Sequence, residues 1–453
     1  GSELTELPTQ RVDQALQGRA SGVFVLNTAG APGSDVTIRI RGMNSINGGN
    51  NALVVIDGLQ GGNLNSLNPN DIAGIEVLKD ASATAIYGSM GANGVILVTT
   101  KKGKTGKPII DYSFSLGSQK IRKKLDVMNA ADYAKTRNAF HATENLNGTP
   151  TPYFTEDQIK GFEKNGGTDW QDVIYRTAPV MNHQLSISGG TNNVKYMVSG
   201  GYLDQQGILV NSAYKRFSLR ANLNADITKN VSFGLNWAGS KESGNSPPYG
   251  GGTALSFTGQ AVNIAPRWDP TTPVYDSNGL YSHHPKSYGA YDTWNPLAAA
   301  KEPDIRNNTI RNNINAYLDF TIIEGLKLRI TGGAIIRNIN NKSYYNSLTR
   351  EGQPVGGELG YGTLDDAVAR RFQNSNILTY DKIFGKFHHL TVMGVVEQQY
   401  EKNEAAGLVA QKFTLDQTGI DDLGGAGQIT SKYSNVEERV LNSYLGRINY
   451  SYA

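Results

Sequence analysis

Apolar and polar residues alternate one by one along several segments of the second part of this chain. In the run AYKRFSLRANLNAD (213–226) every second residue is apolar, and polar residues such as Arg220 and Asn222 occupy positions between them. The apolar positions are Phe217, Leu219, Ala221, Leu223 and Ala225. The pattern returns, less regularly, at 231–239, 314–322, 326–334, 389–397 and 442–452. A period of two with one apolar face predicts β-strands, and lengths near ten residues are typical of tilted strands that cross a membrane.

The connections between these segments alternate between long and short. The long ones are 118–182, 241–308, 337–369 and 400–436, and the short ones include TNN (191–193) and ITKN (227–230). Across about ten strands this alternation predicts a transmembrane barrel, because such barrels have short periplasmic turns and long outer loops. The alternative is a soluble β-sandwich or propeller. A propeller would need a repeat of about 40–50 residues, which the sequence does not show.

The first part of the chain follows a different pattern, with short apolar runs between clusters of Gly, Asn and Pro. The run PTQRVDQALQG (8–18) predicts a short helix that ends at Gly18, and Asp80 and Gly88 are expected to bound a second one. Short strands are predicted at 22–27, 35–42, 52–58, 75–79 and 94–102. We therefore predict a mixed α/β domain at 1–107 and antiparallel barrel strands at 108–453. In the first long insertion, 129–142 and 155–164 are predicted to be amphipathic helices.

Composition narrows the class of protein further. The 453 residues include 52 Gly, 23 Tyr and no Cys, and the formal net charge is +3. So small a basic excess argues against a dedicated nucleic-acid surface. The lack of Cys excludes a disulfide framework, a thiolate metal site and a Cys nucleophile. No apolar run approaches the roughly 18 residues of a spanning helix, so a membrane would have to be crossed by strands.

The predicted strands are too few for the barrel that the first domain would need. About ten strands close around little free space, whereas barrels of about 22 strands hold a plugged lumen. The last segment, SYLGRINYSYA (443–453), reads as a strand with no partner, and each orphan backbone group in lipid costs several kcal/mol. We therefore expect an incomplete large transmembrane β-barrel, completed by a remaining barrel segment of the same protein.

Several runs are similar to a known family. In the first domain they are LQGRASGVFV (16–25), VTIRIRGMNS (36–45), ALVVIDG (52–58) and DIAGIEVLKDASATAIYGSMGANGVILVTTKKG (71–103), and later HQLSISGG, NPLA and SYLGRINYSY. They resemble the plug and barrel of TonB-dependent outer-membrane transporters of the SusC-like (RagA-like) branch. Two positions depart from that pattern: Met90 stands where the family usually has Arg, and Gln60 stands where Pro is common.

The resemblance implies active import of a large nutrient across the outer membrane of a Gram-negative bacterium, with an oligosaccharide as the first expectation and a peptide as the second. The implied partners are a SusD-like surface lipoprotein, the TonB–ExbB–ExbD complex that pulls on the plug, and outer-membrane lipid. No cofactor and no nucleic acid are expected. The family's TonB box is not found in this sequence, so energy coupling rests on the resemblance. The alternative is an outer-membrane receptor or adhesion barrel that displays binding loops without transport.

The plug supplies the first set of candidate residues. Arg39 and Arg41 share one face of a predicted strand, and we expect them to pair with carboxylates in the plug or on the barrel wall, the alternative being a solvated face. Gly88, Gly91 and Gly94 superficially resemble a phosphate loop, but their spacing favours backbone freedom in a tight turn. The remaining candidates for plug structure or barrel contact are Gly42, Asp57, Gly58, Glu76, Lys79, Asp80 and Tyr87.

The long loop 241–308 supplies the second set. Its aromatic residues lie among Asn, Asp, Pro and Gly, a composition that suits stacking on sugars and hydrogen bonding to their hydroxyls. The alternative is that these side chains pack within the loop or contact the SusD-like lipoprotein, and the sequence does not decide between ligand binding and these structural roles. The candidates for substrate binding are Trp268, Tyr275, Tyr281, Tyr288, Tyr291 and Trp294.

Catalytic and metal-binding patterns are not found in the sequence. The neighbouring residues His388 and His389 would point to opposite faces of a strand, which prevents joint chelation of a metal ion. His283 and His284 lie in a loop without HExxH-type spacing, and no GxSxG motif is present. We therefore expect neither an enzyme nor a metal site.

Overall fold

We describe a computed structural model of the chain. It covers residues 11–26, 30–34, 36–43, 45–46, 49–144, 151–246, 261–282, 294–353, 358–385 and 387–452. The candidate residues Tyr288 and Tyr291, together with His283 and His284, lie outside these ranges.

The first domain is a small α/β unit. Its elements are α1 (Val12–Ala15), β1 (Val23–Leu26), β2 (Thr37–Ile40), β3 (Leu53–Ile56), β4 (Leu59–Gln60), β5 (Ile72–Leu78), α2 (Ala81–Thr84) and β6 (Val95–Thr100). Strands β1 and β2 form an antiparallel pair, and the other four form a sheet in the order β4-β3-β6-β5 with β3 parallel to β6. An apolar cluster joins the two sheets, and it includes Val12, Val25, Ile38, Ile40, Ile72 and Ile96.

The second helix of this domain ends where the sequence predicts. After α2 it continues as a 3₁₀ turn and breaks at Gly88, whose φ of 54° and ψ of −143° are not helical, and a separate turn then leads to Gly91. Gly91 is needed there, because a Cβ at that position would lie 2.8 Å from the Thr84 carbonyl oxygen. Asp80 precedes the helix, but its side chain makes no capping hydrogen bond.

In the described residues, the second part of the chain forms one antiparallel sheet of ten strands, each paired with its sequence neighbours. The strands are β7 (Gly106–Gln119), β8 (Ala178–Gly190), β9 (Val194–Gln206), β10 (Ala213–Asp226), β11 (Val231–Asn245), β12 (Asp304–Ile323), β13 (Leu326–Tyr345), β14 (Leu359–Phe384), β15 (His388–Phe413) and β16 (Ala426–Tyr452). This up-and-down order, with a plug domain before it, confirms the predicted fold class of an incomplete barrel.

Several strands are much longer than the alternating pattern predicts. The expected loops at 337–369 and 400–436 consist mostly of strand, because β14 and β15 each have 26 residues. Such a strand is about 85 Å long, and at a tilt of about 40° it rises far beyond the apolar band of roughly 25 Å. Above that band both faces of the sheet meet water. Apolar and polar residues therefore no longer alternate there, although the hydrogen bonds between the strands continue. Ion pairs such as Arg371–Glu401 at 3.0 Å connect these outer sections.

The burial pattern of the sheet is inverted relative to a soluble protein. On β10 the apolar side chains of Phe217 and Leu219 are 51% and 40% exposed, whereas Arg216 and Arg220 are 3% and 6% exposed. Apolar residues therefore face outward and polar residues face the plug, as in a wall between lipid and a wet lumen. Aromatic contacts, including those of His388 with Tyr450 and Tyr452, lie at the short-turn end, where membrane barrels carry an aromatic girdle.

Helices fill the outer loops. They are α3 (Ala130–Glu144), α4 (Glu156–Asn165), α5 (Trp170–Ile174), α6 (Ala261–Ile264) and α7 (Pro296–Lys301), and α3 and α4 correspond to the helices predicted in the first insertion. Helix α4 begins with a capping box in which Thr155 and Gln158 exchange hydrogen bonds. In the ranges that the structure describes, no helix is long and apolar enough to cross a membrane.

Candidate functional site

A buried ion pair joins the plug to the barrel wall. Asp57 lies in the turn after β3, and its Oδ2 accepts a hydrogen bond from Arg220 Nη2 of β10 at 2.6 Å. The two side chains are only 6% and 7% exposed. Thr100 of β6 donates its backbone N–H to Asp57 Oδ1 at 2.9 Å, and Arg220 also donates to the Thr100 hydroxyl. The carboxylate therefore links two plug strands to one wall strand.

The turn that follows Asp57 fits closely against the wall. Asn315 Nδ2 of β12 donates to the Asp57 carbonyl at 2.7 Å. Leu59 is buried against Gly333 of β13, where a Cβ would lie 2.5 Å from Leu59 Cδ1. Gly61 has φ +84°, and a Cβ there would lie 1.6 Å from Arg371 Nη1. Glycine on both surfaces thus permits an approach that larger residues would prevent.

Gln60 is the centre of a hydrogen-bond cluster with β14 and β15, and it is 2% exposed. Its side-chain Nε2 donates to both oxygens of Glu397, at 2.9 and 3.1 Å. Its side-chain oxygen accepts from Gln399 Nε2 at 3.0 Å, and its backbone N–H donates to Gln373 Oε1 at 3.1 Å. Arg371 Nη1 donates to its carbonyl at 3.3 Å. We call Gln60, Gln373, Glu397 and Gln399 the amide cluster. A proline at position 60 would lack both the N–H and the side-chain amide that these bonds use.

On the opposite side, the plug is held by β8 and β10. Asn68 Nδ2 donates to Gln184 Oε1 at 2.7 Å, and Gln184 Nε2 donates to Asp71 Oδ1 at 2.9 Å. Arg216 donates to the backbone carbonyl of Asn65. Burial raises the pKa of the Asp71 carboxyl, while the nearby Arg220 guanidinium acts in the opposite direction. These contacts are polar and enclosed, so each group depends on its partner for hydrogen bonding.

A cavity of about 370 Å³ lies between the plug and strands β11–β15. The plug contributes Ile86, Tyr87 and Leu97 to it, and the wall contributes Ile377, Met393 and Val395. Gln60 and Glu397 of the amide cluster also line it. The plug therefore contacts the wall at the Gly58–Gln60 turn, whereas the cavity separates it from the wall at Tyr87 and Leu97.

The predicted arginine pair lies apart from this interface. Arg41 Nη2 lies 2.7 Å from Asp80 Oδ1, with side chains that are 59% and 69% exposed. Arg39 Nη1 lies 3.1 Å from the sulfur of Met43. The structure thus brings Arg41 to a carboxylate within the plug, and a role for either arginine in transport stays a prediction.

The other plug candidates are placed within the domain. Lys79 donates to the Ser21 carbonyl, and Tyr87 packs with Met90 against the cluster of Leu53, Val55 and Val95. Gly42 and Gly58 have φ of 104° and 90°. Gly94 has φ +84°, and a Cβ there would lie 2.7 Å from Ile40 Cδ1. Burial raises the pKa of the Tyr87 hydroxyl, and the negative charges of Glu397 on the wall and of Glu76 on β5 add to this increase.

The aromatic candidates of the outer loop divide into two groups. Trp268 is 4% exposed and packs edge to face on Trp170, with ring centroids 5.7 Å apart. It belongs to an apolar cluster with Ile174, Leu209, Ile264 and Ala300 that unites four chain segments. This geometry supports the packing alternative for Trp268, because a buried ring has no face left for a ligand.

The second group lies nearer the surface. Tyr275 is 44% exposed, and its ring centroid lies 5.3 Å from that of Tyr281. Tyr281 donates to Glu302 at 2.6 Å, and burial together with this carboxylate raises the pKa of its hydroxyl. Trp294 Nε1 donates to the Leu348 carbonyl at 2.6 Å. Tyr275 therefore offers the exposed aromatic face of this pair, while its neighbours fix the loop.

Histidines and acidic residues form no metal centre in the described ranges, where no group of three or more potential ligands is found. His388 Nδ1 lies 2.7 Å from the Tyr450 hydroxyl, and His389 Nε2 lies 3.2 Å from Asp381.

Comparison with known proteins decides the family. Residues 1–95 match the family described as TonB-dependent Receptor Plug Domain. The whole chain aligns at 37% identity with TonB-dependent receptor P3 of Formosa agariphila, covering 43% of that protein. It aligns over 99% of its length at 29% identity with TonB-dependent receptor SusC of Bacteroides thetaiotaomicron, covering 45% of that protein. The chain belongs to the SusC-like TonB-dependent receptors.

Solved structures agree with this assignment. The SusC-like chain superimposes on the RagAB peptide importer in its closed-closed state with a TM-score of 0.81 and 25% identity, covering all of this chain and 52% of the other. The ferric citrate transporter FecA shares the fold at a TM-score of 0.55 and 13% identity, over 98% of this chain and 52% of that one. The chain thus spans about half the length of the relatives that it matches.

In this SusC-like plug, Asp57 and Gly58 are sequence-predicted candidates for plug structure or barrel contact, and both lie against the wall, but their wall partners and Gln60 are not among the predicted residues. Arg220 was one more polar position on a strand face, and Gln60 was only a departure from the family pattern. The available signal was chemical: a charged residue on the lumen face of a membrane strand needs a partner. Nothing in the sequence identified Asp57 as that partner, 163 residues away.

Proposed function

We propose that residues 1–107 form the plug and residues 108–453 form part of the barrel wall of a TonB-dependent importer in the outer membrane of a Gram-negative bacterium. The observation that carries the proposal is the polar interface between plug and wall, built by Asp57, Gln60 and Arg220. Where water can reach this interface, as at Gln60 beside the cavity, it can replace the hydrogen bonds when part of the plug moves, whereas separating an apolar interface would expose apolar surface. A barrel that only displays loops has no need of a separable domain inside it.

Energy for plug movement would come from the TonB–ExbB–ExbD complex, and a SusD-like surface lipoprotein would cover the outer mouth. The RagAB peptide importer supports a two-component arrangement by its similarity to this chain. Binding and movement of the plug make and break no covalent bond, so the proposed activity is transport without catalysis. Co-purification of the receptor with a surface lipoprotein tests the partner, and recovery of the receptor alone from mild detergent contradicts it.

An oligosaccharide is the proposed cargo, and a peptide is the second candidate. The exposed ring of Tyr275, held beside Tyr281, suits stacking on a sugar. The similarity to a peptide importer supports the second candidate. Competition between labelled oligosaccharides and mixed peptides for uptake would separate the two.

Uptake in paired strains tests the proposal as a whole. Cells with the receptor should accumulate labelled cargo only when TonB is present, and cells without the receptor should not accumulate it. Equal uptake without TonB would indicate a passive pore. Surface binding without uptake in either strain would indicate the receptor or adhesion alternative.

A further inference from the structure

Within the part of the wall that this chain contains, the plug is held differently at β8 and β10 than at β14 and β15. Toward β8 and β10, the hydrogen bonds involve several plug residues, and two of the wall groups are arginines. The plug residues are Asp57, Asn65, Asn68, Asp71 and Thr100. The enclosed partners in this docking side are Asn68, Asp71, Gln184, Arg216 and Arg220, none more than 6% exposed. Separating them would leave charges and amides without partners in an enclosed space, which costs several kcal/mol for a buried charge.

Toward β14 and β15 the hydrogen bonds of the described residues converge on Gln60. Its own groups are a neutral amide and a backbone peptide. The adjoining cavity already separates Tyr87 and Leu97 of the plug from Met393 and Val395 of the wall. Gln60, Gln373 and Glu397 line that cavity, so water that enters it can replace their hydrogen bonds, and releasing Gln60 leaves no enclosed charge out of reach of solvent.

The chain around Gln60 is suited to a local movement. Strand β4 has two residues and pairs with β3 through two positions. Gly58 and Gly61, which flank it, have φ of 90° and 84°. Asp57, directly before the turn, stays bound to Arg220 on the docking side. The turn beyond Gly58 can therefore move while the plug sheet remains attached.

We propose that the plug stays docked on β8–β10 during transport, while the Gly58–Gln60 turn leaves β14 and β15 and opens a passage along the β12–β15 wall. The existing cavity is the start of this passage, and its volume is within the range of small-ligand pockets. The inference rests on the proposed import function and specifies its route. The hydrogen bonds of the amide cluster then keep this passage closed until the turn moves.

Reversible crosslinking of cysteine pairs tests the route. The chain contains no Cys, so introduced pairs are unambiguous. One variant carries Gln60→Cys and Gln399→Cys, whose native side chains touch at 3.0 Å. The matched variant carries Asn68→Cys and Gln184→Cys, which touch at 2.7 Å. Each pair is bridged in cells with a short bifunctional methanethiosulfonate, and TonB-dependent uptake is compared with that of the same variant before bridging and after reduction.

Bridging 60 to 399 should abolish uptake and reduction should restore it, while bridging 68 to 184 should leave uptake within about twofold of its unbridged form. Continued uptake with the 60–399 bridge would overturn the proposal, and so would loss of uptake with the 68–184 bridge, since the plug would then leave the docking side. If the parent protein shows no TonB-dependent uptake, the proposed function itself fails, and the route with it.

A second measurement leaves Gln60 unchanged. Met393→Cys, in the cavity, should react at least tenfold faster with a water-soluble thiol reagent when TonB and cargo are present. Ser199→Cys, on β9 and 3% exposed in the native protein, should keep its rate. Equal acceleration at both positions would contradict opening on one side.

Discussion

Removing the Asp57 carboxylate is the most informative single change to the interface. In Asp57→Ala the guanidinium of Arg220 would stay enclosed without its closest anionic partner. The backbone N–H and the hydroxyl of Thr100 would also lose the carboxylate oxygens that accept their hydrogen bonds. Breaking a buried pair by deleting one partner typically costs about 3–5 kcal/mol, and both side chains here are under 8% exposed. Since about 1.4 kcal/mol corresponds to a factor of ten, the population of released plug should rise at least about a hundredfold.

Hydrogen exchange of the purified receptor measures this change. Amides of β3 and β6, the two central strands of the plug sheet, should exchange at a rate that follows the free energy of plug opening. Asp57→Ala should accelerate them about a hundredfold or more. The double variant Asp57→Ala with Arg220→Met should recover part of that loss, because no unpaired guanidinium remains.

Asp80→Ala is the matched control. It removes a carboxylate from an ion pair of similar length, 2.7 Å, whose side chains are largely exposed. Exposed pairs contribute little, so exchange should change by less than about fivefold. If Asp57→Ala behaves like Asp80→Ala, the ion pair with Arg220 does not hold the plug and the reasoning is wrong.

Three further changes follow from the same structure. Because burial raises the pKa of Asp71 above 3.8, the plug should lose stability as pH rises through the interval above that value, and Asp71→Asn should flatten this dependence in thermal unfolding. Trp268→Ala should lower the free energy of unfolding of the outer-loop apolar cluster by roughly 3–5 kcal/mol and make the outer helices sensitive to protease. Tyr275→Ala should lower the affinity for cargo without making these helices sensitive to protease. Position 61 has a positive φ, and an alanine there would also displace Arg371. Gly61→Ala should therefore loosen the contact between plug and wall and make cells sensitive to a large hydrophilic antibiotic. Gly394→Ala, where the added Cβ meets open space, should leave that sensitivity unchanged.

The barrel strands were predictable wherever lipid and water face opposite sides of the sheet. The run 213–226 shows the two-residue period, and β10 has those bounds. The same reasoning failed for the outer halves of β14 and β15, because residues such as Arg370 and Lys402 lie where both faces meet water. There the strand is maintained by its hydrogen-bond ladder and by pairs such as Lys402–Glu438 at 3.5 Å, which leave no period in the sequence.

The contact residues were less predictable than the strands. Which plug residue meets which wall strand depends on how two separately folded sheets dock, and no local pattern encodes that docking. Trp268 shows a related difficulty, since an aromatic residue in a polar loop can serve a ligand or a small core. Its contact with Trp170 depends on a segment almost 100 residues earlier in the chain. Composition alone does not distinguish these cases.

If the sheet separates lipid from a polar lumen that holds the plug, the two faces of β10 must differ in their contact with lipid. Single-cysteine variants of β10, labelled with a fluorophore and quenched by brominated lipid, test it directly in the cysteine-free background. We predict strong quenching at Phe217, Leu219 and Leu223, and little at Ser218 and Asn222. Quenching that does not alternate, or that alternates with the opposite phase, would contradict the account.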